Sequence, residues 1–246
     1  MCKRVLTIAA ILFVISGLAV AANTATITQV GSDNQADITQ QDENNSHTAT
    51  ITQNGNENQA TIDQTADAWG AGANATITQT GNLNYAESLV RNGYHAYVDA
   101  VITQTGNENI AIQNFTPGTA WNSTDGTILQ DGFSNEAYQT WGYIGTDYSS
   151  KLDATQIGDD NYAEQKSGRN GNDGDVYQEG DLNYAYQDLG GRTNIADTSQ
   201  IGDQNWAEIH QLGNSNVATQ SQTGDLHSSI ITQTGNGNTA NVVQGP

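Results

Sequence analysis

The chain has 246 residues, 27 of them acidic and only seven Lys or Arg, for a net charge of −20, with one cysteine and 35% apolar residues. So acidic a surface repels phosphate backbones and excludes nucleic acid as a partner, and a lone cysteine excludes a disulfide scaffold. Low hydrophobicity with high charge would ordinarily place such a chain among disordered segments, but a strict internal order overrides that expectation.

In chain order, residues 1–22 come first and read as a secretory signal peptide that is removed. Lys3 and Arg4 form its basic start, Val5 to Ile15 its apolar stretch, and Ala19-Val20-Ala21 a small-residue cleavage site. The apolar stretch is too short for an anchor, so no membrane insertion is expected. Cleavage removes Cys2 and leaves Arg91, Lys151, Lys166, Arg169 and Arg192 as the basic residues, a net charge near −22. Residues 23–246 then form one domain whose stability must come from packing and hydrogen bonds rather than disulfides.

That domain repeats one pattern, Q-x-G-x-x-N-x-A-x-x-x-Q, which opens as Gln29, Gly31, Asn34, Ala36, Gln40 and closes as Gln233, Gly235, Asn238, Ala240, Gln244. Its lead glutamines are Gln29, Gln53, Gln79, Gln104, Gln130, Gln156, Gln178, Gln200 and Gln222, with steps of 22–26 residues. A period of this length predicts a solenoid. Within each repeat Ala25, Ile27 and Gln29 share one parity and Thr26 and Thr28 the other, an alternation that predicts strands. Gly31, Gly55, Gly81, Gly106, Gly132, Gly158, Gly180, Gly202, Gly213, Gly224 and Gly235 mark tight turns. The glycine is expected to supply positive φ there and the following Asn to tolerate it. Insertions at Asp42–His47, Ala66–Ala73 and Thr116–Asn122 fall on the second turn of each coil, whereas from Gln178 onward the half-coils are a uniform 11 residues. The fold class is therefore all-β: a β-solenoid of about nine stacked two-strand coils, 22–26 residues each, with cross-β spacing.

The interior mixes Ile27, Ile51, Ile77, Ile102, Ile128 and Val176 with the lead glutamines. A buried amide without partners costs about 1–3 kcal/mol, but identical amides stacked about 4.8 Å apart satisfy one another. The expected ladders comprise the lead glutamines, the closing Gln40, Gln64, Gln211, Gln233 and Gln244, and the turn residues Asn34, Asn58, Asn84, Asn109, Asn135, Asn161, Asn183, Asn205, Asn216 and Asn238. The two end coils have no neighbour, so each end is a template for another chain.

Five identities at five fixed offsets, from about residue 24 to 244, resemble the curlin repeat of curli, the bacterial extracellular amyloid fibres. The resemblance implies secretion through a dedicated outer-membrane pore with accessory proteins, polymerisation with itself on a nucleating subunit, and a role in biofilm matrix and surface adhesion. Departures occur where Ser167, Arg169, Asn172 and Gly174 replace the pattern, and where His227 and Ser229 replace Asn and Ala. Val90, Phe115, Trp141 and Leu189 interrupt the closing-Gln column in the middle coils. The clean last repeat is most like a major subunit. A nucleator, or a soluble monomeric binding solenoid (ice-binding or adhesin), are the alternatives.

Other signals carry less. His47, His95, His210 and His227 lie in separate coils without a recurring partner, so neither catalysis nor a cofactor is expected. Asp159-Asp160 and Asp173-Gly174-Asp175 offer turn oxygens of the kind that bind calcium, but the glycine-rich nonapeptide of calcium β-rolls is absent, solvation explains these carboxylates, and no metal is assigned. Thr26/Thr28, Thr50/Thr52 and Thr76/Thr78 resemble an ice-binding array, but the column decays to Val101/Thr103 and Thr127/Leu129. Tyr162, Tyr184 and Trp206 share one outward position in consecutive coils, with Tyr85 further along, and form a candidate contact stripe.

Overall fold

The computed structural model describes residues 23–41, 46–66, 72–92, 97–115, 123–142 and 149–245. The expected signal peptide and the tips of the expected insertions lie outside them. One sheet consists of β1 (Thr24–Ser32), β3 (Thr48–Asn56), β5 (Ala73–Asn82), β7 (Tyr97–Asn107), β9 (Ser123–Phe133), β11 (Ser150–Ile157), β13 (Asp173–Glu179), β15 (Ile195–Ile201), β17 (Val217–Thr223) and β19 (Thr239–Gln244). The second consists of β2 (Gln35–Gln41), β4 (Gln59–Ala66), β6 (Tyr85–Asn92), β8 (Ile110–Phe115), β10 (Glu136–Trp141), β12 (Tyr162–Ser167), β14 (Tyr184–Leu189), β16 (Trp206–Leu212) and β18 (Ser228–Thr234).

The chain is thus a β-solenoid, as the period predicts. Every strand lies parallel and in register on its equivalent one coil later: Ala25 on Ala49, Ile27 on Ile51, Gln29 on Gln53, and so on to Gln222 on Gln244. The register follows from the side-chain alternation, since a one-residue slip would turn every Ala, Ile and Gln outward. Between the sheets runs a narrow core in which Ile51, Ile77, Ile102 and Ile128 are fully buried. Among the described residues ten strands stand in one sheet and nine in the other, so β19, one half of a tenth coil, surmounts the nine two-strand coils that the period implies.

The turns correct one expectation. Gly31 does take positive φ (120°), but the second left-handed residue is Asp33 (57°), not Asn34. The same place is filled by Glu57, Leu83, Glu108, Ser134, Asp160, Leu182, Gln204 and Leu226 in later coils. The Asn side chain is thereby kept for hydrogen bonding along the stack. Glycine is required here for a second reason: a Cβ on Gly31 would lie 1.7 Å from the carbonyl oxygen of Gly55 in the next coil.

The core is locally adapted. Trp141 stacks on Phe115 with ring centroids 4.0 Å apart. Across from them Gly126 replaces the usual Ala, because a Cβ there would lie 2.4 Å from the Trp141 ring. The irregular half-coil around Arg169 keeps its strand pairings: Ser167 lies on Leu189, and Gly174 on Ala196.

Candidate functional site

The lead glutamines form one unbroken ladder through the molecule. Gln29 Nε2 donates to Gln53 Oε1 at 2.7 Å, and the same bond repeats through Gln79, Gln104, Gln130, Gln156, Gln178, Gln200 and Gln222 to Gln244 at 2.8–3.0 Å. The amides also cross the core: Gln104 Nε2 donates to the Tyr85 carbonyl at 3.0 Å and Gln200 Nε2 to the Tyr184 carbonyl at 3.0 Å. Each interior glutamine therefore ties three coils and both sheets together.

The closing-Gln column behaves differently. Gln40 donates to Gln64 and Gln211 to Gln233, both at 2.8 Å. Between these pairs stand Val90, Phe115, Trp141, Ser167 and Leu189. A ladder absent from the sequence reading takes over two residues earlier, where Gln113, Gln139, Gln165 and Gln187 join at 2.9–3.0 Å. They occupy the column that holds Ile38 and Ile62 at one end and Ile209 and Ile231 at the other. Amide and apolar columns exchange places in the middle of the molecule, and each half-coil still holds about the same chemistry. The changeovers leave marks: Gln113 Oε1 next to Ser88, and Gln211 Oε1 next to Leu189, are buried without a hydrogen-bond partner among the described residues.

The turn asparagines ladder in the opposite sense. Asn58 Nδ2 donates down to Asn34 Oδ1 at 3.0 Å, and Asn84, Asn109, Asn135, Asn161, Asn183 and Asn205 continue the series at 3.0–3.2 Å. Each also reaches up to the next glycine carbonyl, as Asn34 Nδ2 does to Gly55 O at 2.8 Å. His227 closes this edge through its backbone N–H, which donates to Asn205 Oδ1. On the other edge Asn172, Asn194, Asn216 and Asn238 are linked from backbone N–H to the Oδ1 below. Asn194 keeps the register of this column although its half-coil begins with Leu189 in place of Gln.

The two ends present complementary groups. At the β1–β2 end, Gln29 and Gln40 donate into the stack while their Oε1 atoms accept from no described residue. At the β18–β19 end, Gln233 and Gln244 accept from Gln211 and Gln222, each donates one N–H to a backbone carbonyl, and each keeps a second N–H. Ile27, Ile38 and Val242 are only partly buried at these ends, whereas their interior equivalents are fully covered.

Outside, Tyr162, Tyr184 and Trp206 do form a column, with centroids 5.1 and 3.9 Å apart and planes within 15°. Tyr85 shares it, separated by Ile110 and Glu136. The Tyr162 hydroxyl donates to Glu164 at 3.0 Å, and burial, together with that carboxylate, raises its pKa. On the opposite sheet Asp125, Asp153, Asp173, Asp175 and Asp197 gather near Lys151, which bridges Asp153 and Asp175. Among the described residues no group of three or more His, Cys, Asp or Glu is placed to hold a metal.

Burial, and then neighbouring carboxylates, raises the pKa of Asp125, Asp173 and Asp197 above the ordinary 3.8. A carboxyl whose folded pKa lies above its unfolded value takes up protons more readily when folded. These groups therefore stabilise the fold as pH falls through the raised pKa toward the unfolded one, and lose that contribution as pH rises. The denaturant midpoint is expected to increase as pH is lowered from about 7 toward about 4, and the triple change Asp125→Asn, Asp173→Asn, Asp197→Asn is expected to flatten that profile.

These features define a class, the amide-laddered parallel β-solenoid with two open ends. Within that class, residues 43–68 match the curlin associated repeat, which supports assignment to the curlin repeat family. The same Gln, Gly, Asn and Ala identities recur in register on both sides of the matched segment. No curated protein matches the chain.

Proposed function

We propose that this chain is a structural subunit of an extracellular, curli-like functional amyloid, most like a major subunit, which serves in biofilm matrix and surface adhesion. The observation that carries the reading is the continuous Gln ladder from Gln29 to Gln244, which among the described residues ends in an unpaired acceptor on one side and an unpaired donor on the other. The curlin repeat and the solenoid fold point to a structural protein rather than an enzyme. Growth is by edge templating: an incoming secreted chain folds onto the open end, and a nucleating subunit supplies the first such end. A secretion pore, accessory proteins and a cell-surface location are what the match to the curlin associated repeat suggests for this chain.

The test changes Gln29, Gln40, Gln233 and Gln244 to Ala together. Nucleation and elongation, read by thioflavin fluorescence, are expected to slow roughly tenfold or more, the equivalent of about 1.4 kcal/mol per step. Kinetics equal to those of the unmodified protein would remove the end ladders from the mechanism.

The aromatic column is assigned to stiffening the sheet, because its rings stack on one another and the Tyr162 hydroxyl and Trp206 indole N–H are taken by Glu164 and Glu208. Replacing Tyr162, Tyr184 and Trp206 by Thr is expected to lower stability and leave fibre bundling and attachment unchanged. Loss of bundling at unchanged stability would make the column a contact stripe.

A further inference from the structure

We infer that consecutive copies of this chain join with a half-turn about the fibre axis, so that β1 of the incoming copy pairs with β18, and its β2 with β19. The inference rests on the assembly reading above and specifies the contact between copies. Its starting point is the odd strand number: β19 is the tenth strand of its sheet, while the other sheet has nine, so the β18–β19 end is a step one strand high.

A copy stacked without rotation would place β1 on β19. Its β2 would then face β18 across a vacant strand position, with only one of the two sheets paired. A half-turn fills the step, because the two halves of each coil carry the same pattern. Thr24 then lies over Ser228, Ile27 over Ile231, Gln29 over Gln233, Gly31 over Gly235, Asn34 over Asn238, Ala36 over Ala240, Ile38 over Val242 and Gln40 over Gln244. The offset is a constant 204 residues through strand, turn and strand.

The polar groups match in sense as well as position. Gln233 and Gln244 offer N–H to the open Oε1 atoms of the incoming Gln29 and Gln40, which continues the direction of the glutamine ladders inside the chain. Asn238 Oδ1, which accepts from no described residue, meets the backbone N–H of the incoming Asn34, as Asn34 Oδ1 meets that of Asn58 within the chain. On the other edge the ladder closes at His227, whose Nε2 lies 3.0 Å from the Thr223 carbonyl oxygen. The Asn-on-Asn turn is therefore available only with the half-turn.

Charge agrees. In a chain of net charge −20, residues 226–246 contain no Asp, Glu, Lys or Arg. The incoming Asp33 and Asp37 fall over Gly237 and Asn241, so no carboxylate stacks on another at the join. Within the chain, by contrast, Asp159, Asp181, Asp203 and Asp225 are linked in one column.

Cysteine pairs on the outer faces distinguish the two joins. In a Cys2→Ser background, one variant carries Thr26→Cys with Ile230→Cys and a second carries Thr26→Cys with Asn241→Cys. All three side chains are exposed, and Thr26 lies at the opposite end of the stack from the other two, so a disulfide reports a contact between copies. Neighbouring strands, about 4.8 Å apart, are within disulfide reach. After seeded growth and oxidation, the 26–230 variant is expected to give a covalent ladder on a non-reducing denaturing gel, and the 26–241 variant none. A ladder from 26–241, or from neither pair in fibres that have formed, overturns the half-turn and leaves fibre assembly standing. Failure of the unmodified protein to form fibres overturns both.

Discussion

Gly106→Ala is expected to destabilise the solenoid by more than about 3 kcal/mol, read as a drop in the denaturant midpoint. The backbone there has φ 106°, and an added Cβ would lie 1.9 Å from the Gly132 carbonyl oxygen. That oxygen belongs to the next coil and is held by Asn109, so relief requires the two coils to part. The same change at Gly235 has a different result. Nothing lies closer to its added Cβ than Asn238 Nδ2 at 3.7 Å, so the isolated solenoid carries only the cost of φ 104°. A copy arriving on that end, however, brings a carbonyl to where Gly235 O stands against Gly213, 2.0 Å from an added Cβ. Gly235→Ala should therefore fold, and its seeds, supplied with the unmodified protein, should grow markedly more slowly from the β18–β19 end. Equal growth from both ends in single-fibre imaging would count against that end as a growth site.

Gln104→Ala is expected to cost about 3–5 kcal/mol, combining a core cavity with unpaired buried polar atoms. The change strands the second N–H of Gln79, the Oε1 of Gln130 and the Tyr85 carbonyl at once, all in the buried interior. Gln29→Ala removes one bond at a half-exposed end and is expected to cost about 1 kcal/mol. The ratio between the two, measured by equilibrium denaturation, reports how much of the amide's contribution comes from being stacked on both sides. Equal costs would mean that the ladder acts as ordinary side-chain packing. Leu or Met at Gln104 would fill the cavity yet leave the same three groups unpaired, which separates the two parts of the effect.

Much of this architecture was legible because stacking forces identity. A glycine whose Cβ would strike the coil above, and an amide satisfied only by its own kind, must return at every level. The lead glutamines and all eleven turn glycines stand where the pattern puts them. What stays invisible is whatever alternates without a change of parity. Gln113, Gln139, Gln165 and Gln187 point inward like the closing glutamines they replace, so the two-residue periodicity does not show which column carries the amide. A clue was present: each occurs in a half-coil whose closing Gln is missing. The left-handed turn position was missed for another reason. Residues as unlike as Asp33, Leu83 and Thr193 occupy it, at φ of 55–59°, because the ladders above and below hold the backbone there whatever the side chain. Nor does the repeat count reveal the step at β18–β19, which depends on the pairing of the last half-coil rather than on its motif.

The central claim is that the open ends template further copies. The direct measurement is thioflavin fluorescence against time for the protein diluted from denaturant, with and without preformed fibres. A lag phase that seeds abolish is the predicted result. Prompt folding to a stable monomer, with no growth on added seeds, would contradict it and make the chain a capped, soluble binding solenoid.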